Sequence, residues 1–400
     1  MPKSFHRQPP QFWAISGPGW NSHQLVSGLP YGFAETGRRW SGAEREGGGV
    51  LFNRSKPVVG LDIGSSAVKA IELKGSGRGF KVVAIGVEPL PPDSIVDGTI
   101  IDASAVTEAV RRVLLSPRFK AKDVVASLSG SAVIVKKISL PVMSDTDLAE
   151  SIQWEAEQYI PFDIQDVNLD YQILTPVAQR QGTMEVLLVA AKKDKIADYT
   201  GVVTAVGRTP IVVDVDAFAL QNAYEANYGT DGRVIALVNA GASAININLV
   251  CEGVSLFTRD VGIGGNAFTE ALQKELGLPF EFAEEAKKGM PVDGVRPEDM
   301  KPVLHAVMDN LLLEIEKTFD FFKATSTSDH IDRVVVSGGA SLVEEFETAM
   351  RERLGTDVER FDPFKTVPID PAALQGATAA DYAPLCAVAL GLALRKGGDR

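Results

Sequence analysis

Lys56-Pro-Val-Val-Gly-Leu-Asp-Ile-Gly-Ser-Ser-Ala-Val-Lys-Ala-Ile-Glu-Leu73 is the stretch on which the reading of this chain turns. Val58, Val59 and Leu61 predict a buried strand, Asp62 to Ser66 a tight turn, and Val68 to Leu73 a returning strand of alternating faces. The turn is the size of a phosphate group. Gly64 lets backbone approach closely, the amides of Ser65 and Ser66 can point at phosphate oxygens, and Lys69 offers a point charge. Asp62 stands where a hydrated magnesium ion needs a carboxylate. An ordinary hairpin gives the same local pattern, so the stretch gains its meaning from what recurs further on.

The design recurs at Arg233-Val-Ile-Ala-Leu-Val-Asn-Ala-Gly-Ala-Ser-Ala-Ile-Asn-Ile-Asn-Leu-Val250, again strand, small-residue turn and alternating strand. Two hairpins imply two lobes. The second turn is again built of small residues that admit close backbone approach. A third signal is Arg333-Val-Val-Val-Ser-Gly-Gly-Ala-Ser341, a buried strand ending in Gly338, Gly339 and Ala340 ahead of a helix-like stretch from Leu342 to Met350. Gly264 and Gly265 precede a helix over 266–276, which suits phosphate approach and equally suits a tight turn. Asp216 opens the small-residue helix after Ile211-Val-Val-Asp-Val-Asp216, where it either orients an attacking water or caps the helix, with Asp214 as the alternative. An amphipathic helix over 302–323 carries Glu314 and Lys317 off its apolar stripe, as a surface ion pair or as an adenosine contact.

Together, and in this order, the three elements resemble the nucleotide-binding fold of actin, Hsp70 and sugar kinases. The resemblance implies an actin/Hsp70-like α/β fold of two lobes clamping ATP and Mg2+. Asp62 to Lys69 matches the first phosphate loop, Asn239 to Ser243 the second, which implies Ala240, Gly241 and Ala242 as phosphate contacts and Asn239 reaching Mg2+ through water, and Ser337 to Ser341 the adenosine motif. Glu314 and Lys317 match the Glu-x-x-Lys pair with which Hsp70-like members hold adenosine, and Asp216 would be catalytic. Between the halves of the first lobe, strands near 124–128 and 132–138 and a helix near 144–159, capped by Ser144 with Asp147, make a small α+β module. It resembles the 1C subdomain of FtsA-like proteins. Trp154-Glu-Ala-Glu-Gln-Tyr-Ile-Pro-Phe-Asp163, Asn168 to Gln172 and Arg259 to Ala267 resemble specifically the PilM family of type IV pilus assembly proteins.

That resemblance covers about 56–395 and divides it into subdomain 1A (56–90 and 175–230), 1C (91–174), 2A (231–265 and 331–400) and 2B (266–330). It implies an ATP-binding scaffold in the cytoplasm, peripheral to the inner membrane through protein partners. Its partners would be the N-terminal peptide of PilN and other proteins of the inner-membrane platform. PilN's peptide would lie between 1A and 1C, near the faces bearing Tyr159, Ile160, Pro161 and Phe162 and the strands near Val124 to Ile138. Many members of the fold carry Asp where this chain has Asn239, which implies retained ATP binding with slow hydrolysis. The alternative is an FtsA-like division adaptor that polymerises at the membrane.

Composition agrees with these readings. The chain has 400 residues, enough for more than one lobe, with 45% apolar and 23% charged residues. A formal charge of −12 argues against non-specific nucleic-acid binding. Cys251 and Cys386 sit singly in apolar runs, and the four histidines show no paired ligand spacing. The apolar run from Leu385 to Leu394 is too short to cross a bilayer. Residues 1–55, with Trp13, Trp20 and Trp40 but no periodicity, predict a disordered arm or an overlong reading frame. Glu44 to Gly49 before Val50 favours the second, resembling a ribosome-binding site ahead of a GTG start.

Overall fold

The computed structural model describes residues 56–76, 79–174, 182–326 and 328–395. The expectation for 1–55 lies outside them. The quoted stretch forms β1 (Val59–Ile63) and β2 (Ala67–Ser76), followed by β3 (Gly79–Pro89), the short β4 (Ile95–Val96) and β5 (Thr99–Ile100), and helix α1 (Ala103–Leu114). Asp102 caps α1 by accepting from the amides of Ser104 and Ala105 at 3.0 and 2.9 Å. Then come β6 (Asp123–Leu128), β7 (Val133–Pro141), α2 (Asp145–Glu157), β8 (Val167–Ile173), β9 (Thr183–Lys192), α3 (Lys193–Ala205), β10 (Thr209–Val215) and α4 (Asp216–Tyr228).

The second half repeats the opening. It runs β11 (Ile235–Ala240), β12 (Ile245–Cys251), β13 (Val254–Val261), α5 (Asn266–Leu276), α6 (Phe280–Lys287), α7 (Pro297–Thr325), β14 (Arg333–Ser337), α8 (Phe346–Leu354), β15 (Asp357–Arg360), α9 (Ala379–Tyr382) and α10 (Ala387–Ala393). One five-stranded sheet has the order β10-β6-β1-β2-β3 and the other β13-β12-β11-β14-β15. In each, three parallel strands continue into an antiparallel hairpin and its neighbour. The two lobes therefore share one topology, and the strand–turn–strand motif stands at the same place in both.

Two expectations about organisation change. The separate three-stranded sheet, in the order β7-β9-β8, draws on residues 133–192, and α2 packs on it through Leu148, Ile152 and Ala156. The stretch assigned to the inserted module at 91–174 thus includes α1 and β6, which belong to the first lobe: β6 pairs parallel with β1, and α1 buries Val106, Ala109 and Val110 against that lobe's core. A buried hydrophobic strand reads alike in either sheet, which is why the pattern misplaced it. The third motif also differs locally: Gly339–Leu342 make one tight turn, and the helix begins only at Phe346.

The lobes are joined by a core to which both contribute. Val58, Ile71 and Val212 of the first sheet, Ile235, Leu237 and Val335 of the second, and Leu220 of α4 pack with Val388, Leu390 and Leu392 of α10. Every residue of α10 is buried, as its apolar sequence on all sides requires. Gly391 lets α10 meet α4, since a Cβ there would stand 1.7 Å from the Ala219 carbonyl oxygen. Gly391→Ala is expected to cost about 3 kcal/mol through overpacking and to lower the urea midpoint of both lobes together. Unfolding by far-ultraviolet circular dichroism checks this, and an unchanged midpoint would show that the two lobes do not depend on this contact.

Candidate functional site

A cleft of about 1230 Å³ opens between the lobes. Its floor holds both hairpin turns. The amides of Gly64 and Gly241 close their own turns, donating to Ala67 and Ala244 carbonyls at 3.1 and 3.0 Å. Among the described residues, no backbone bond takes up the next amides, of Ser65, Ser66, Ala242 and Ser243, and all four residues line the cleft. The tips touch, Ser65 Oγ donating to Ser243 Oγ at 2.9 Å.

Asp62 and Lys69, register partners on β1 and β2, form an ion pair of 3.2 Å. Burial pushes the Asp62 carboxyl up to about 6, against the lowering effect of Lys69, and nearby Asp216 raises it further. Lys69 is therefore a counter-ion to Asp62 as well as a cation facing the cleft. Asp216 lies in the first turn of α4 and lines the cleft; the cap position is Val215, so Asp216 is not the cap. Asp214 leaves the list of alternatives, since it is fully buried and paired with Arg395 at 3.2 Å.

Gly338 has φ +90°, and a Cβ there would stand 2.2 Å from the Ala240 carbonyl oxygen. Only glycine lets this turn cross the end of β11. Gly338, Gly339 and Ala340 line the cleft wall, with Leu342, Val343 and Leu385 as its apolar part. Gly264 and Gly265 have a different task from the one expected. The amides of Gly265 and Asn266 are donated to the carbonyls of Gly241 and Ala242 at 2.9 and 2.8 Å, so this segment buttresses the second turn.

Glu314 and Lys317 are corrected as well. They pair with each other at 2.7 Å on the surface of α7 and do not line the cleft. The residues that do are Glu284 and Lys287 on α6, an equivalent Glu-x-x-Lys one turn apart that the sequence reading missed. Lys287 Nζ bonds Glu284, the Thr269 hydroxyl at 2.9 Å and the Gly265 carbonyl at 3.3 Å. Burial would raise the Glu284 carboxyl, but its bonds from Lys287 and Thr269 hold it below the ordinary range.

On its other side the cleft continues between the loop carrying Pro89, Leu90, Pro92 and Ile95 and the start of β7, where Val133, Ile134 and Val135 line it. β7 is an edge strand, bonded only to β9 within its sheet. Tyr159, Ile160 and Phe162, expected in a partner groove, do not line this opening. Ile160 is buried beneath the three-stranded sheet; Tyr159 and Phe162 are half-buried against the same cluster, with the ammonium groups of Lys136 and Lys192 over their rings.

The family model for the type IV pilus assembly protein PilM matches residues 60–397. The chain belongs to the PilM family. A solved structure of the PilM-PilN type IV pilus biogenesis complex matches with a TM-score of 0.75 and 30% identity, over 84% of this chain and 98% of that one. The ethanolamine utilization protein EutJ from Carboxydothermus hydrogenoformans matches at 0.52 and 16%, over 86% of this chain and 90% of its own, a likeness of fold. The actin-like, two-lobed fold expected from the sequence is borne out, and so is the type IV pilus assembly family. The division-adaptor alternative is the less supported reading. No helix among the described residues is long and apolar enough to cross a membrane.

The Asp62 pair yields a ligand-free test. Removing the opposing charge in Lys69→Met is expected to raise the Asp62 carboxyl above its value near 6. A carbon-13 titration of the aspartate carboxyl groups reads this directly; a fall toward the ordinary range would mean that Lys69 is not what stabilises the anion.

Proposed function

We propose that this PilM-family chain is an ATP-binding scaffold of the type IV pilus inner-membrane platform that takes the N-terminal peptide of PilN. The carrying observation is one continuous cleft, running from the two phosphate-sized turns to the unpaired edge of β7. It is large enough for a nucleotide and a short peptide segment side by side.

The nucleotide end fits ATP residue by residue. The amides at 65–66 and 242–243 suit phosphate oxygens, and the Gly338 turn, which only glycine lets cross the end of β11, brings the 338–340 backbone to the cleft wall. Lys287 and Glu284 suit the ribose hydroxyls, one as donor and one as acceptor. Asp62 with Asp216 suits a Mg2+ ion that keeps most of its waters, the pattern expected of a nucleotide site. Asn239 adds an amide oxygen without charge. Asp216 is the residue available to orient a water, and with an amide in place of a carboxylate at 239, phosphate release is expected to be slow; rapid multiple-turnover release would remove that clause.

The peptide end fits an extended segment. An edge strand offers its own amides and carbonyls, and Val133, Ile134 and Val135 give apolar contact beside the 89–98 loop. This reading places the protein in the cytoplasm, held at the inner membrane through PilN and other platform proteins.

Two titrations test the two ends. Lys287→Met is expected to weaken binding of a fluorescent ATP analogue about tenfold, as loss of a charged hydrogen bond does, while Lys317→Met leaves it unchanged; equal losses would restore α7 as the nucleotide contact. A labelled peptide of PilN's first residues is expected to bind saturably in anisotropy, and Ile134→Asp to weaken it at least about tenfold. Wild-type protein that binds no peptide would end the scaffold reading.

A further inference from the structure

Beside the turns, four polar side chains stand in one row across the second lobe. Register pairs Ser337 with Asn239, Asn239 with Asn246, and Asn246 with Asp260, on four successive strands. Asn246 Nδ2 donates to Asp260 Oδ1 at 2.7 Å, Asn239 Nδ2 donates to Asn246 Oδ1 at 3.2 Å, and Ser337 Oγ faces Asn239 Oδ1 at 3.5 Å. The row does not end within its own lobe. The other carboxylate oxygen of Asp260 accepts from the backbone amide of Gly130 at 2.5 Å, in the turn that leads from β6 into β7.

Hydrogen-bond chemistry gives the row a direction. Burial raises the Asp260 carboxyl, against the bonds from Asn246 and the Gly130 amide that favour its anion; ionised, it only accepts, and Asn246 then presents its NH2 to it. Its carbonyl oxygen is left for Asn239, which must present its own NH2 in turn. The oxygen of Asn239 is thereby turned away from Asn246, toward Ser337 and the cleft that Asn239 lines. Asp260 thus sets how Asn239 faces the cleft while gripping the root of the module whose edge faces the groove.

We infer that Asp260 is a positioning residue that latches the second lobe to the β6–β7 turn and couples occupancy of the cleft to the seating of β7. A ligand drawing on the Asn239 oxygen strengthens a row already polarised toward Asp260, and the row holds the Gly130 amide. Asparagine at 239 is then a requirement. An aspartate there has no NH2 for Asn246 and adds a second carboxylate to the row, which reverses Asn246 and withdraws the donor from Asp260.

This inference rests on the proposal that the cleft holds ATP and the groove PilN, but its first test does not. Hydrogen exchange of the full chain is expected to show the Gly130 amide and the first residues of β7 exchanging at least about tenfold faster in Asp260→Ala, with the amides of β11 and β12 unchanged. Asp260→Asn, which keeps the shape but has one oxygen for two donors and so sets its NH2 against either the Gly130 N–H or the Asn246 NH2, and Asn239→Asp are expected to accelerate the same amides. Unchanged Gly130 exchange in Asp260→Ala would overturn the latch, and so would acceleration spread evenly over both lobes in all three variants. In the second test, MgATP is expected to change wild-type affinity for the PilN peptide several-fold and that of Asp260→Ala by less than about twofold. A full retained shift in the variant would overturn the coupling. A wild type that binds neither ligand strikes the proposed function, while the exchange result still decides the latch.

Discussion

Burial of α10 between the lobes is the constraint on which the remaining structure depends. This helix is apolar on every side and therefore needs surface all round it, which neither sheet alone supplies. It finds that surface between the first sheet and α4, and α4 in turn packs on the second sheet. Arg395, just past its end, is buried against Asp214 of β10. A buried pair of this kind is weak evidence for stability, but separating the partners strands a charge. The lobes are thus hinged on a packed base, and their turns meet above it at Ser65 and Ser243. The cleft is the space that the base leaves open.

What was legible in the sequence follows the range of the interactions concerned. Each strand–turn–strand motif is closed by bonds within a few residues, such as Gly64 to Ala67 and Gly241 to Ala244, so local pattern sufficed to find it. Helix α5 and the cap at Ser144 were legible for the same reason. The Glu-x-x-Lys pair was not. Glu284 with Lys287 and Glu314 with Lys317 are chemically identical i, i+3 pairs, and only tertiary placement sets one in the cleft and the other on the surface. The clue within the sequence was modest: Thr269, one helix earlier, could complete the first pair but had no counterpart for the second.

The apolar stretch Tyr159 to Phe162 reads two ways for a related reason. Hydrophobic residues at the end of an amphipathic helix suit a docking face and a small module's core equally well, and a module of three strands and one helix has few residues from which to build a core. The cluster beneath the three-stranded sheet absorbs Ile160 fully and the two rings in part. The strands near 124–138, expected beside the same groove, supply Val133, Ile134 and Val135 of β7 to the cleft, and that β7 is an edge is visible only in the sheet order.

Asn239 shows how one substitution takes its meaning from neighbours that a linear motif does not include. Viewed in the turn alone, it is a carboxylate lost from a nucleotide site. Viewed across the sheet, it is the middle of a row whose single acid, Asp260, lies two strands away and whose polarity a second acid would break. At the two turns charge is uneven: Asp62 and Asp216 belong to the first lobe, where Lys69 offsets one of them, and the second turn meets them with the Asn239 amide, the second lobe's acids Asp260 and Glu284 lining the cleft beside it. Two lobes that both presented carboxylates across the turns would repel each other on closing, whereas amides accept and donate without a net charge. Asn rather than Asp at this position therefore favours approach of the two turns over the supply of charge to a metal ion.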